Sequence, residues 1–174
     1  MINSHIIYII GFMGSGKTTA GKKLASLLGW SFIDLDKKVE EYAGKTIPEI
    51  FSQNGEDYFR TIETGLLKSL KSQADTVIST GGGTPCYSDN MDHMLKTGLT
   101  LYLKMTPDQL KNRLSESKGE RPLLKDLDQE SLQCFIEEKL ADREKWYSRS
   151  EITVEGINLD INLLHFLVKS GLNK

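Results

Sequence analysis

One segment, running Gly-Phe-Met-Gly-Ser-Gly-Lys-Thr over residues 11–18, restricts the fold of this chain more than any other. It follows an apolar run at residues 5–10 and precedes apolar positions at helical spacing, so a strand, a glycine-rich turn and a helix are expected in succession. Glycines let the backbone approach a polyphosphate closely, and the N–H groups at the start of the helix carry a positive partial charge. The segment therefore predicts a phosphate-binding loop that holds a nucleotide.

The side chains of this loop have separate expected roles. Lys17 is placed to reach the β- and γ-phosphates, and the Thr18 hydroxyl is placed to bind Mg²⁺ between them. The predicted nucleotide contacts in the loop are Gly14, Ser15, Gly16, Lys17, Thr18 and Thr19. A flexible Gly/Ser turn beside an unrelated lysine is the alternative, which the strand before and the helix after the loop disfavour.

Apolar runs of strand length alternate with helical patterns along the chain. Strands are predicted over residues 5–10, 31–35, 75–80, 98–104 and 152–154. This alternation is typical of a five-stranded parallel sheet with helices on both faces, a three-layer α/β sandwich. Ligands of such sheets bind outside the carboxyl ends of the strands, so functional residues are expected in the loops there. A length of 174 residues fits a single domain.

The charge of the chain is nearly balanced. Lys and Arg total 22 and Asp and Glu total 24, a formal net charge of −2 without a long run of one sign. Nucleic-acid and membrane partners are therefore disfavoured, and a small soluble substrate is favoured. The phosphate-binding loop begins too early to leave room for a targeting peptide, and no apolar run is long enough to span a bilayer. We expect a cytoplasmic protein that acts as a monomer.

Two acids, Asp34 and Asp36, flank Leu35 at the end of the second predicted strand. Strand alternation would direct both carboxylates to one side of the chain, toward the phosphate-binding loop. An ATP-dependent kinase needs one carboxylate to hold hydrated Mg²⁺ and another to orient or deprotonate the acceptor hydroxyl. Two solvated loop acids are the alternative, which the nearby phosphate-binding loop makes less favourable.

Three consecutive glycines, Gly81, Gly82 and Gly83, follow the predicted strand at residues 75–80. A run of glycines costs conformational entropy, which close approach of the backbone to a ligand explains better than an ordinary tight turn does.

Arg60 lies three residues before Glu63 on a predicted helix, so the carboxylate can fix the guanidinium for binding a substrate carboxylate. An exposed ion pair of little energetic value is the alternative for Arg60, and Arg143 is equally ambiguous by itself.

The segment at residues 115–128 is polar, contains Gly and Pro, and has no clean periodicity, which predicts a mobile flap. Its closure would bring Arg121 onto the transferring phosphoryl group and exclude water. A solvated loop arginine is the alternative. Arg113, near the end of the preceding helix, is placed to stack over adenine.

The order and spacing of six motifs resemble those of shikimate kinases. They are the loop at residues 11–18, Asp34-Leu-Asp36, Phe59-Arg60-x-x-Glu63, Gly81-Gly82-Gly83, Arg121-Pro-Leu-Leu and Arg143-x-x-x-Tyr147. The match covers nearly the whole chain, and the ordered set is specific within the nucleoside-monophosphate-kinase-like group. The resemblance implies a P-loop NTPase fold with a substrate-binding subdomain at about residues 37–64 and a lid at about residues 115–128.

The resemblance also implies a reaction. The γ-phosphoryl of ATP, the co-substrate, would pass to the 3-hydroxyl of shikimate, giving shikimate 3-phosphate and ADP on the route to chorismate and aromatic amino acids. Asp36 would hold the shikimate hydroxyls and act as base, and Asp34 would support the cofactor Mg²⁺ through water. The other implied residues are Lys17 and Arg121 for catalysis, Thr18 for the metal, and Arg60, Gly81, Gly82, Gly83 and Arg143 for shikimate.

One departure from the family pattern concerns adenine. Similar enzymes often carry a basic residue in the turn before the last helix, and residues 155–159 contain none, so adenine contacts are expected from the backbone or Asn158.

Three other functions stay open: a kinase for another small hydroxy acid such as gluconate, a nucleotide-dependent switch, and an inactive binding module. The sequence contains no Asn-Lys-x-Asp guanine motif, and the completeness of the predicted site disfavours an inactive module.

Overall fold

The computed structural model describes residues 5–70, 75–116 and 127–172, in which five strands form one sheet. They are β1 (Ile6–Ile10), β2 (Ser31–Asp34), β3 (Thr76–Ser79), β4 (Leu99–Lys104) and β5 (Ile152–Glu155). Their spatial order is β2-β3-β1-β4-β5, and every neighbouring pair is parallel. The predicted α/β class with a five-stranded parallel sheet is confirmed.

Helices connect the strands within these described ranges. They are α1 (Lys17–Leu28), α2 (Leu35–Ala43), α3 (Ile47–Asn54), α4 (Glu56–Ser69), α5 (Asn90–Thr97), α6 (Pro107–Glu116), α7 (Gln129–Tyr147) and α8 (Ile161–Leu172). A 3₁₀ turn at Thr84–Cys86 follows the glycine run. No helix in the described part of the chain has both the length and the apolar character needed to cross a membrane.

Strand β1 lies at the centre of the sheet, and all of its residues are buried. Its side chains alternate between two hydrophobic clusters, one on each face of the sheet. Coverage on both faces explains why the strand is uniformly apolar. Its two neighbours, β3 and β4, lie on opposite sides, so the carboxyl end of β1 is a switch point in strand order where ligands bind.

The predicted geometry of the acidic pair is wrong. The second strand ends at Asp34 rather than at Leu35, because Asp34 is the N-cap of α2 and its carboxylate accepts a hydrogen bond from the backbone N of Lys37 at 3.4 Å. Asp36 therefore lies in the first turn of a helix. The turn of the chain from strand into helix, rather than strand alternation, sets the directions of the two carboxylates.

Candidate active site

The phosphate-binding loop joins β1 to α1 at the carboxyl edge of the sheet. Gly11, Gly14 and Gly16 adopt φ angles of 145°, 81° and 93°, which other residues rarely adopt. A Cβ at Gly14 would also lie 2.9 Å from a methyl carbon of Leu114. The loop turns directly into α1, whose first N–H groups have no acceptor within the helix. Those groups form an anion-binding site at the helix N-terminus.

Lys17 is the first residue of α1, and it is buried although it carries a charge. Its ammonium group donates to the carbonyl oxygens of Gly11 and Phe12, at 2.9 Å each. The two bonds hold the charged end of the side chain against the phosphate-binding loop. Lys17 is therefore positioned where it can contact a phosphate bound to the loop.

A cleft of about 310 Å³ opens at this edge of the sheet, next to the loop. Predicted phosphate, metal and substrate residues meet in its lining, namely Gly14, Gly16, Lys17, Thr18, Thr19, Asp34, Asp36 and Gly82. Met13, Ser79 and Thr80 complete the lining. The structure thus brings together residues that are up to 69 positions apart, from Met13 to Gly82.

Oxygen donors suited to a magnesium ion lie at one point of this cleft. The Thr18 hydroxyl donates to Asp34 Oδ2 at 2.8 Å and lies 3.5 Å from the Ser79 hydroxyl. Asp34 and Ser79 are paired residues at the ends of β2 and β3, which explains their proximity. Within the described ranges, no group of three or more His, Cys, Asp or Glu side chains could hold a metal ion. Few protein ligands together with substrate phosphates are the usual environment of Mg²⁺.

Asp36 is a half-buried carboxyl group beside the glycine run. Burial raises the pKa of Asp36 to about 6; the negative charges of Glu63 and Asp34 act in the same direction, and Lys17 and Arg60 oppose them. A Cβ at Gly81 would lie 2.8 Å from Asp36 Oδ1, so a larger residue there would displace the Asp36 carboxyl group. A carboxylate with a pKa near neutrality is well matched to accepting a proton from a hydroxyl.

Arg60 is held by two carboxylates of its own helix. Its Nη1 donates to Glu63 at 2.7 Å, and its Nε and Nη2 donate to Glu56 at 3.2 Å each. Glu63 is fully buried and also accepts a hydrogen bond from the hydroxyl of Thr84. The predicted Arg60–Glu63 pair is confirmed, and it is not an exposed surface pair because the Arg60 side chain is only 12% exposed.

Arg143 reaches the glycine run from α7. Its guanidinium carbon lies 5.3 Å from the centre of the Phe12 ring. A Cβ at Gly82 would lie 3.2 Å from Arg143 Nη1, and a Cβ at Gly83 would collide with the guanidinium of Arg60. Nη1 of Arg143 is buried and has no hydrogen-bond partner among the residues that the structure describes. A buried cationic donor of this kind indicates an anionic ligand.

A second cleft of about 460 Å³ lies against the loop and contains the predicted nucleoside contacts. Ser15, Arg113 and Asn158 line it together with Lys23 of α1. Arg113 donates to the carbonyl oxygens of Ser15 at 3.1 Å and of Gly156 at 3.3 Å. These bonds join the loop to the turn before α8. The planar guanidinium is thus fixed at the edge of the cleft.

The predicted lid is only partly described. Ser115 and Glu116 belong to α6, and Asp128 is the N-cap of α7. Residues 117–126, which include Arg121, lie outside the described residues. The role of Arg121 therefore stays a prediction.

Some functional candidates were not predicted from the sequence. Glu56 and Thr84 support the Arg60–Glu63 pair, and Lys23 lines the second cleft. The spacing of Glu56, four residues before Arg60 on the same helix, is a signal that could have identified it. Lys23 likewise lies one helical turn after Thr19. Thr84 has no such signal, because its partner lies in a distant helix.

Known proteins resemble this chain in sequence and in structure. The family model for shikimate kinase matches residues 13–161. A shikimate kinase of Parabacteroides distasonis is 44% identical over 149 residues, which are 86% of each chain. A crystal structure of shikimate kinase from Bacteroides thetaiotaomicron has a TM-score of 0.89 and 36% identity, covering 98% of this chain and 99% of that one. Shikimate kinase from Acinetobacter baumannii in complex with shikimate has a TM-score of 0.86 and 32% identity, covering 99% and 94%. The chain therefore belongs to the shikimate kinase family.

Proposed function

We propose that this chain transfers the γ-phosphoryl group of ATP to the 3-hydroxyl of shikimate, giving shikimate 3-phosphate and ADP on the route to aromatic amino acids. The observation that carries the proposal is the convergence of three groups on the glycine run. Asp36 lies against Gly81, the unpaired nitrogen of Arg143 lies against Gly82, and the phosphate-binding loop borders the same cleft. An acceptor hydroxyl, a carboxylate and a phosphate can therefore be bound side by side.

Shikimate is an anionic polyol, and the side chains around the glycine run match its chemistry. The guanidinium groups of Arg60 and Arg143 can bind its carboxylate, since planar guanidinium and carboxylate groups form paired charge-assisted hydrogen bonds. Asp36 can accept the proton of the reacting hydroxyl, for which its raised pKa is suited. Gly81, Gly82 and Gly83 allow these three side chains to lie close to the backbone of the glycine run.

Phosphoryl transfer requires mainly positioning and neutralisation of charge. The N–H groups at the start of α1 and the ammonium of Lys17 supply positive charge at the β- and γ-phosphates. Thr18 and Asp34, the latter through water, would hold Mg²⁺, which when bound neutralises charge on the phosphate oxygens. Arg121 would close over the same phosphates, and Arg113 and Asn158 would contact the nucleoside part of ATP in the second cleft.

Two alternatives are less well supported. A gluconate kinase would also need cationic groups for an acid, but the sequence matches over most of the chain are to shikimate kinases. A nucleotide-dependent switch would not need Asp36 and Arg143 beside the phosphate site. The expectations of a single domain, a monomer, a cytoplasmic location and no nucleic-acid partner stay predictions.

The proposal is tested by an ADP-release assay with Mg-ATP and shikimate, gluconate or quinate offered separately. We expect strong preference for shikimate and a single phosphorus resonance from the 3-phosphate in the product. Arg143→Ala should raise the KM for shikimate at least about tenfold, since a charge-assisted bond is removed. Arg149→Ala is the matched control, because Arg149 is exposed and pairs with Asp92 away from both clefts. Equal turnover of gluconate and shikimate would contradict the proposal.

A further inference from the structure

The carbonyl groups of the glycine run are all hydrogen-bonded, but the central one is bound differently from the others. The Gly81 carbonyl accepts from the backbone N of Thr84 at 3.2 Å, and the Gly83 carbonyl accepts from the backbone N of Cys86 at 3.0 Å. These two bonds are local. The Gly82 carbonyl accepts instead from the hydroxyl of Tyr147 at 2.5 Å, a side chain 65 residues away.

Tyr147 is fixed in place by its surroundings. It is the last residue of α7, it is fully buried, and its ring packs against Tyr102 with 5.0 Å between ring centres. Burial raises the pKa of the Tyr147 phenol above its ordinary value, although the guanidinium of Arg143 opposes the shift. The hydroxyl is therefore protonated at neutral pH and acts as a donor. A buried tyrosine hydroxyl normally needs such a partner.

The position of the glycine run affects the whole substrate side of the cleft, because each glycine faces a different candidate substrate residue. The pairs are Gly81 with Asp36, Gly82 with Arg143, and Gly83 with Arg60. Glycine has no side chain that would restrict its own backbone. The glycine run therefore needs contacts with other residues to hold its backbone in one conformation. The Tyr147 hydroxyl supplies such a contact to the central carbonyl group, that of Gly82.

The same bond sets the direction of an amide group. The described residues contain no cis peptide bond, and in a trans peptide the C=O and N–H groups point in opposite directions. Binding of the Gly82 carbonyl to Tyr147 therefore turns the N–H of Gly83 away from Tyr147. Within the described ranges, the N–H groups of Gly82 and Gly83 donate to no protein acceptor. They are donors that a bound anion can use.

We propose that Tyr147 is a positioning residue for shikimate, which acts by holding the Gly82 carbonyl and thereby the direction of the Gly83 N–H. The inference rests on the proposed function and adds to it a residue that acts through the backbone. A purely structural role for Tyr147 predicts a loss of stability with no selective effect on one substrate. The two roles are separable by kinetics.

The test compares Tyr147→Phe with Tyr8→Phe. Tyr8 is also fully buried, belongs to the same hydrophobic cluster, and bonds through its hydroxyl to Thr97 at 2.9 Å. Each variant keeps its ring and loses the hydrogen bonding of one partly buried hydroxyl group, which at Tyr147 includes the Arg143 guanidinium as well as the Gly82 carbonyl, so both should lose thermal stability. We expect Tyr147→Phe alone to raise the KM for shikimate, by about tenfold, with the KM for Mg-ATP within about twofold of wild type. Tyr8→Phe should leave both KM values unchanged.

An unchanged shikimate KM in Tyr147→Phe, or a parallel change in both KM values, would overturn the positioning role. If Tyr147→Phe does not fold, 4-aminophenylalanine at position 147 replaces it, because this residue keeps the ring and a weaker donor. The inference then requires a rise of about twofold in the shikimate KM alone. An unchanged shikimate KM would overturn it. Absence of shikimate turnover by the wild-type chain would instead refute the proposed function, so the two failures are distinguishable.

Discussion

The phosphate-binding loop and the substrate side of the cleft are both suited to anions, but they are built differently. The loop is contiguous, over residues 11–18, and offers mainly backbone N–H groups at the start of α1. The substrate side uses charged side chains from α2, α4 and α7, arranged around the glycine run. A contiguous backbone site requires glycines at a few positions. An assembled site requires, in addition, residues that hold its members together.

This difference is visible in the hydrogen bonds of each region. Lys17 bonds to carbonyl groups of its own loop, five and six residues away. Arg60 is instead held by Glu56 and Glu63, and Glu63 in turn bonds to Thr84, 21 residues away. Substitutions on the substrate side should therefore affect activity even at residues that do not contact shikimate.

The largest effect is expected for Asp36→Asn, which should impair the substrate side of the cleft and leave the phosphate-binding loop unaffected. The amide keeps the size of the side chain but removes the base, so turnover should fall about 10²- to 10⁴-fold. The phosphate-binding loop is unchanged, and affinity for ATP measured by calorimetry should stay within about twofold of wild type. Near-normal turnover at saturating shikimate would show that Asp36 is not the base.

Glu63→Gln tests whether a supporting residue matters as much as we infer. Loss of a fully buried charge paired with Arg60 should lower the melting temperature and raise the shikimate KM about 10- to 100-fold. Glu56→Gln is the control on the same guanidinium, since the Glu56 side chain is 63% exposed and exposed ion pairs contribute little. Equal effects of the two variants on the shikimate KM would contradict the importance of the buried pair.

The pH dependence should report Asp36. Its pKa is raised to about 6, so kcat/KM for shikimate should fall about tenfold per pH unit below pH 6, as the base becomes protonated. The contribution of Asp36 to the free energy of unfolding should instead increase as the pH falls. The folded state binds this proton more tightly than the unfolded state does, so the contribution of Asp36 to stability is largest below pH 3.8 and is lost as pH rises through 6.

The stability part of this prediction is measured by comparing wild type with Asp36→Asn. The neutral amide does not titrate, so the melting temperature of the variant relative to wild type should increase as pH rises from 4 to 7. A difference that is constant over this range would show that the pKa of Asp36 is close to its ordinary value. It would also remove the reason for assigning the acidic limb of kcat/KM to Asp36.

The smallest effect is expected on the nucleotide side. Lys23→Ala removes a cation from the second cleft and should raise the KM for ATP about two- to threefold, the size expected for an exposed charge. Lys22→Ala is the neighbouring control, because Lys22 lies over the Phe32 ring and does not line that cleft. Indistinguishable ATP KM values for the two variants would show that backbone groups alone determine the binding of ATP in the second cleft.

Much of the nucleotide side could be predicted from the sequence, because its signals are local. The glycines at positions 11, 14 and 16, the buried strand before them and the helix after them are adjacent in the chain. The acidic pair was identified correctly as lining the cleft, but for the wrong geometric reason. The capping role of Asp34, which starts α2 early, is a local signal that was outweighed by the apolar strand before it.

The supporting residues of the substrate side could not be predicted in the same way. The bonds from Tyr147 to Gly82 and from Thr84 to Glu63 join segments that are 65 and 21 residues apart. Such pairings depend on the packing of α7 and α4 against the 3₁₀ turn that follows the glycine run, which no spacing in the chain specifies. The resemblance to a known family supplied the motif that contains Tyr147, but not the partner of its hydroxyl group.

The most direct test is a crystal structure with Mg²⁺, a non-hydrolysable ATP analogue and shikimate bound together. We expect the terminal phosphate on the N–H groups of residues 11–18, the shikimate carboxylate in contact with Arg60 and Arg143, and the 3-hydroxyl within hydrogen-bond distance of Asp36. Shikimate bound elsewhere, or in the cleft with its 3-hydroxyl turned away from both Asp36 and the terminal phosphate, would contradict the proposed arrangement.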